Sequence, residues 1–164
     1  MISAVLGRMI GYFGTDTRQV AHALKVFALA EALSGGLEAE KRQTLLVAAI
    51  LHDIGIPNAE RKYHSSAGPY QEREGPPVAR RILREEGMPA AMTERVCFLI
   101  GHHHSYGKID NSDFQILVEA DFLVNMDEDR MPPDAIRSIR EKYFKTRAGQ
   151  AALDSLYGLK APAN

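Results

Sequence analysis

The stretch LLVAAILHDIGIP, Leu45–Pro57, decides how the rest of the chain is read. It begins as an unbroken run of Leu, Val, Ala and Ile, reaches His52 and Asp53, and is followed at once by Gly55 and Pro57. The run predicts a helix from about Glu38 to Asp53 that the glycine and proline stop. An imidazole and a carboxylate closing so apolar a helix belong at the edge of a core. Stripping water from a carboxylate is costly, so Asp53 needs a partner that replaces the lost hydration. A divalent cation would do so, and the negative C-terminal end of the helix dipole favours a cation there. A C-capping aspartate paired with an arginine is the alternative.

Working outward, the periodicity stays helical. Val20, Leu24 and Phe27 recur at helical spacing within Thr15–Leu33, with Asp16 and Gln19 as a capping pair and Gly35-Gly36 as the stop. The N-terminal MISAVLGRMIGYFG, interrupted by Gly7 and Arg8, predicts a first helix rather than a signal peptide. Downstream, Ile56–Gly75 is polar and turn-rich and is expected to form a long functional loop. Pro76-Pro77 would then open a helix running to Glu86. Further helices are expected over Met88 to about His104, Asn111–Met126, Pro133–Phe144 and Gln150–Tyr157. With no strand-type alternation, repeat or linker, the expectation is an all-α, single-domain helical bundle over residues 1–164.

Composition narrows the function. Lys and Arg total 20 against 21 Asp and Glu, so no overall field draws in a nucleic-acid polymer or an anionic membrane. The 45% hydrophobic content is that of a globular chain. Cys97 is the single cysteine and no apolar run reaches membrane-spanning length, which points to a cytoplasmic enzyme or binding protein without an internal disulfide. Ile136, Ile139, Tyr143 and Phe144 give the later helix an apolar face, for packing across the core or for a homo-oligomer interface.

Three other segments carry chemistry. His22 shares a helical face with Val26, Leu29 and Leu33. In ERVCFLIGHHHSYG, Glu94–Gly107, His103 continues the stripe of Val96, Leu99 and Ile100, and His104 flanks it; His102 points roughly 100° away. In FQILVEADFLVNMDED, Phe114–Asp129, Asp121 takes a place on the stripe of Phe114, Leu117 and Val118 where an apolar residue belongs, and Asn125 stands one turn on. Four helices thus each aim an imidazole or carboxylate inward, as helical folds do when they build metal sites. The mixed donors suit Mn, Fe, Co, Ni or Zn better than Mg or Ca.

The ordered set His22, His52-Asp53 within ILHDIG, and Asp121 resembles the H…HD…D signature of the HD-domain superfamily of metal-dependent phosphohydrolases, over about residues 15–126. The resemblance implies that His22, His52, Asp53 and Asp121 ligate a divalent transition metal. It also implies that His103 and His104 match the histidine pair of the superfamily's dinuclear branch, so that one or two ions bind per chain. That branch's remaining histidine has no counterpart: YQEREGPP offers Gln71 or Glu72 in its register, with Glu74 one turn on, and His64 matches no family ligand. The implied reaction is attack of metal-bound hydroxide on the phosphorus of a small phosphorylated substrate such as a nucleotide. Asp53, His103 and Glu74 are the expected catalytic groups, and Arg61, Arg73, Lys108 and Asn125 the expected substrate contacts. Two other functions fit the same residues: an HD-like di-iron oxygenase of a small substrate, and a non-catalytic metal- or ligand-sensing module.

Overall fold

The helix that ends in Leu51 runs through the middle of the molecule, and Thr44–Leu51 are all buried. That continuous burial explains why its sequence is apolar all round instead of on one stripe. In the computed structural model, which describes residues 1–159, it is α3 (Ala39–Leu51). Around it lie α1 (Ile2–Phe13), α2 (Thr17–Leu33), α6 (Ala90–Ile100) and α7 (Ser112–Glu128), all in contact with it. Outside these, α4 (Ile56–Tyr63) and α5 (Gly68–Glu85) pack on each other and α5 lies along α6. The chain closes with α8 (Pro133–Tyr143) and α9 (Arg147–Tyr157), which contact α7. No strand occurs among the described residues, and the fold is all-α. None of the described helices is long and apolar enough to cross a membrane.

Each fully buried core side chain such as Leu45, Ile50, Leu51, Leu99 or Leu117 contributes roughly 2 kcal/mol of hydrophobic stabilisation. Local signals start the helices. Asp16 accepts the Gln19 amide at 3.2 Å to cap α2, and Asn111 accepts the Ser112 amide at 2.8 Å to cap α7. The last two helices are fastened by Glu119, a fully buried carboxylate of α7. It accepts the backbone amides of Lys145 at 2.6 Å and Thr146 at 2.9 Å in the α8–α9 turn. Ile136 and Phe144 are buried, so much of the apolar face after Met126 is spent on packing within the chain.

Three expectations need correction. Ile56–Gly75 is not a loop: it forms α4 and the first half of α5, with a short connection at His64–Ala67. Pro57 and Pro69 sit in the first turns of these helices, where a proline suits the helix. The Pro76-Pro77 pair does not start a helix but lies inside α5, which therefore forgoes two internal hydrogen bonds. The helix expected over Met88–His104 is shorter, because Pro89 caps its start and Gly101 its end. The three histidines lie in the turn beyond it.

Candidate metal centre

His22 reaches inward from α2, His52 and Asp53 follow the last turn of α3, and Asp121 projects from α7. Their atoms converge. His22 Nε2 lies 3.1 Å from His52 Nε2, 3.2 Å from Asp121 Oδ1 and 3.4 Å from Asp53 Oδ2. His52 Nε2 is 3.4 Å from Asp53 Oδ2 and 3.5 Å from Asp121 Oδ1. Asn125, one turn along α7, donates to Asp121 Oδ1 at 3.0 Å. No arginine is ion-paired to Asp53 or Asp121 among the described residues, so the arginine alternative does not apply.

The other nitrogen of each ring is already engaged. His52 Nδ1 donates to the Ala49 carbonyl at 2.8 Å, and His103 Nδ1 to the Ile100 carbonyl at 2.7 Å. His22 Nδ1 faces the Glu128 carboxylate at 3.2 Å, and Lys25 holds that carboxylate from outside. Such outer contacts fix tautomer and orientation so that Nε2 points its lone pair at a cation. Sequence reasoning missed Glu128. Its signal was present, since it stands seven residues after Asp121 and so two turns along the same side of α7.

Asp53 also looks the other way. His103 Nε2 lies 3.4 Å from Asp53 Oδ1, is buried, and has no hydrogen-bond partner among the described residues. The His104 ring packs 3.9 Å from that of His103, centroid to centroid. Two groups of potential ligand atoms, His22–His52–Asp53 and Asp53–His103–His104, each fall within 4.8 Å, sharing Asp53. A buried, unpartnered imidazole nitrogen beside a carboxylate, and two Nε2 atoms facing each other, are what a cation would resolve. The donor set fits a divalent transition metal.

The electrostatics agree. Burial alone would push the Asp53 carboxyl up, but His52 and His103 hold it well below the usual range. Asp121 is likewise lowered against its burial by hydrogen bonds from His22 and His52. His22 and His52 are raised despite burial, through Asp121 and Asp53. The cluster therefore attracts positive charge. His104 goes the opposite way, to about 4, because it is buried and stands beside His103.

A family model for the HD domain matches residues 20–144, a span that holds His22, His52, Asp53, His103, His104 and Asp121. This chain belongs to the HD-domain family. The superfamily is one of metal-dependent phosphohydrolases, and the buried His/Asp cluster is the feature of this member suited to a divalent metal. No curated protein and no solved structure gives a match.

Other expected residues lie where the HD fold leaves them. On α5, Gln71 meets the histidine pair, its Oε1 3.0 Å from His104 Nε2. Glu72 accepts the His104 amide and the Ser105 hydroxyl, each at 3.0 Å, and so holds the turn. Glu74 does not reach the histidines. It is buried against α4, where Lys62 at 2.6 Å and Tyr63 at 3.1 Å supply the partners its charge needs. Arg61 donates to Asn58, Arg73 lies beside Tyr63, and Lys108 is exposed on the 3-10 turn Tyr106–Lys108; none is hydrogen-bonded to the cluster among the described residues. His64 caps α4 in the left-handed conformation (φ 53°), and His102 Nδ1 donates to the Phe98 carbonyl. Asn125 is the expected substrate contact that does stand at the cluster. With Arg18, Gln19, His22, Asp53, Glu128 and Asp129 it lines a polar opening of about 100 Å³.

Proposed function

We propose that this HD-domain protein hydrolyses the phosphate ester of a small metabolite such as a nucleotide, as a phosphomonoesterase or phosphodiesterase. The observation that carries the reading is the buried cluster of His22, His52, Asp53 and Asp121, its rings oriented from behind and its front open to a small polar mouth. These four residues would hold a divalent metal. When bound, the metal supplies a nucleophile from water near neutral pH and neutralises phosphoryl charge.

The chain's own groups do the rest. Asn125 holds Asp121 in place, and Glu128 holds His22. Asp53 and His103 meet behind the mouth, where an ionised carboxylate beside an unpartnered imidazole nitrogen can accept and pass a proton. Arg18 is the cation lining the mouth and forms no ion pair among the described residues, so its guanidinium can take two phosphate oxygens. Sequence reasoning placed this role on Arg61, Arg73 and Lys108. The missed signal is spacing, since Arg18 precedes His22 by one helical turn. The mouth has about 100 Å³, roughly three water volumes. That is the scale of a phosphoryl group.

The test is phosphate release from a panel of nucleotides and other phosphoesters, with protein purified without chelator. Metal-dependent release that is lost in His52→Ala and weakened in Arg18→Ala supports the reading. Turnover that requires iron and oxygen and releases no phosphate would replace it with the oxygenase. A tightly bound ligand with no turnover at all would replace it with the sensing module.

A further inference from the structure

Beside the cluster lies an aromatic surface that the metal centre does not use. Phe122 follows Asp121 on α7, and Phe122, Asn125 and Asp129 are spaced three and four apart, so they share one side of that helix. Asn125 and Asp129 line the polar mouth, and Phe122 stands one turn back, about 4.5 Å along the axis from Asn125. Two further rings join it there. Tyr106 comes from the 3-10 turn two residues after His104, and its ring centroid is 5.2 Å from that of Phe122. Tyr143 ends α8, stacks on Phe122 at 5.3 Å with the planes 16° apart, and lies 4.6 Å from Tyr106. All three are only partly buried, whereas Phe144, 6.4 Å from Phe122, is closed into the core. Two hydroxyls are also unspent. Those of Tyr63 and Tyr157 donate to Glu74 and to the Leu123 carbonyl, but those of Tyr106 and Tyr143 have no hydrogen-bond partner among the described residues.

We propose that Tyr106, Phe122 and Tyr143 form the platform on which a nucleotide substrate stacks its base while its phosphate occupies the mouth beside Asn125. The proposal rests on the phosphohydrolase reading above and names what the substrate carries beyond its phosphate. Position supports it, because platform and mouth adjoin along one side of α7, with about the reach of one sugar between Phe122 and Asn125. Chemistry supports it too. Aromatic rings stack on the π-face of a base, and unpartnered hydroxyls can meet the donors and acceptors on its edge. Packing of α8 does not require the exposed rings, since Ile136 and Phe144 are already buried. The other stacked pair, Tyr63 and Tyr70, belongs to α4 and α5, and its Tyr63 is committed to Glu74. A phosphate ester without a ring gains nothing from such a platform, so these residues set a preference for nucleotides.

The experiment compares kcat/KM of the Mn²⁺-loaded full chain for adenosine 5′-monophosphate and ribose 5-phosphate, which carry the same ester with and without a base. Wild type is expected to favour the nucleotide by at least about tenfold. Phe122→Leu keeps an apolar side chain and removes the ring. It should lower kcat/KM for the nucleotide about 5- to 100-fold, chiefly through KM, and leave ribose 5-phosphate unchanged. Phe122→Tyr should retain the preference, and Tyr143→Leu should weaken it; circular-dichroism melts establish that the variants are folded. Saturation-transfer nuclear magnetic resonance with adenosine, before any Mn²⁺ is added, gives a readout that needs no turnover. The base protons should receive saturation from wild type and lose it in Phe122→Leu. Equal hydrolysis of the two esters by wild type, or a Phe122→Leu variant that slows both alike, would overturn the proposal and leave the hydrolase intact. Where neither ester is turned over, the adenosine signal decides alone: its absence, or its persistence in Phe122→Leu, overturns the platform. Failure of the hydrolase reading looks different: no release from any phosphoester of the panel.

Discussion

On one side of Asp53, His22 and His52 meet a second carboxylate, Asp121, and stand on the apolar helices α2, α3 and α7. On the other side, His103 and His104 follow α6 in a turn and meet the amide of Gln71 on α5. Both sides use the same device to aim a ring, an Nδ1–H given to a backbone carbonyl three residues back, in His52 to Ala49 and in His103 to Ile100. They differ in charge and in anchorage. The first side has two carboxylates and is built into the core; the second borrows its carboxylate and leans on an outer helix. Imidazole geometry is thus shared, while the number of anions differs between the two sides.

The largest expected effect comes from removing what the sides share. Asp53→Ala should reduce bound metal to near background while most helix content remains, because a preformed set of ligands is needed to hold the ion. Elemental analysis with far-ultraviolet circular dichroism checks both halves. Full metal occupancy in this variant would break the comparison outright.

Next is Gly55→Ala, which attacks the second side through packing. A Cβ there would meet Gly75 N at 2.5 Å and Gln71 O at 2.6 Å, both backbone atoms, so α5 must move. Thermal melts should show a loss of about 3 kcal/mol, the upper range for overpacking. Metal binding by His22, His52, Asp53 and Asp121 should survive the change.

The first side has its own lever in Glu128. Glu128→Gln keeps the shape behind His22 and removes the charge, which should weaken metal binding by about 10- to 100-fold. A chelator-competition titration measures this. An unchanged affinity would mean that the Glu128 contact to His22 does not tune the site.

The smallest effect is pH-dependent. The Lys62 hydrogen bond, helped by Tyr63, holds the Glu74 carboxyl below its ordinary value against the opposing effect of burial. Its folded pKa is lower than its unfolded one, so it stabilises the fold above the ordinary glutamate range, and that contribution disappears as pH falls through the lowered value. Melting temperatures of wild type and Glu74→Gln should therefore converge at acid pH and differ near neutrality. Equal gaps at both would show that the α4–α5 clasp owes nothing to charge.

The same contrast explains what could be read from the sequence. α2, α3 and α7 bury large aliphatic side chains, so the misfits His22, His52, Asp53 and Asp121 stood out against an apolar background. α4 and the first half of α5 bury little beyond Ile56, Ala59, Glu74 and Gly75. With alanine, glycine and a lysine-paired glutamate as the inner edge, no apolar period remained, and the prolines suggested breaks where the helix in fact continues. Gln71 and Glu72 were in view as the register of a missing histidine. Which of them faces the pair depends on the rotation of a helix whose existence was not legible. Arg18 and Glu128 escaped because charges at helical spacing look like ordinary surface until His22 is seen between them.

The most direct measurement is anomalous diffraction from crystals soaked in Mn²⁺. The expected result is a peak among His22 Nε2, His52 Nε2, Asp53 Oδ2 and Asp121 Oδ1 that is absent from His52→Ala crystals. No peak there, with manganese bound elsewhere or not at all, would contradict the assignment of these four residues as a metal centre.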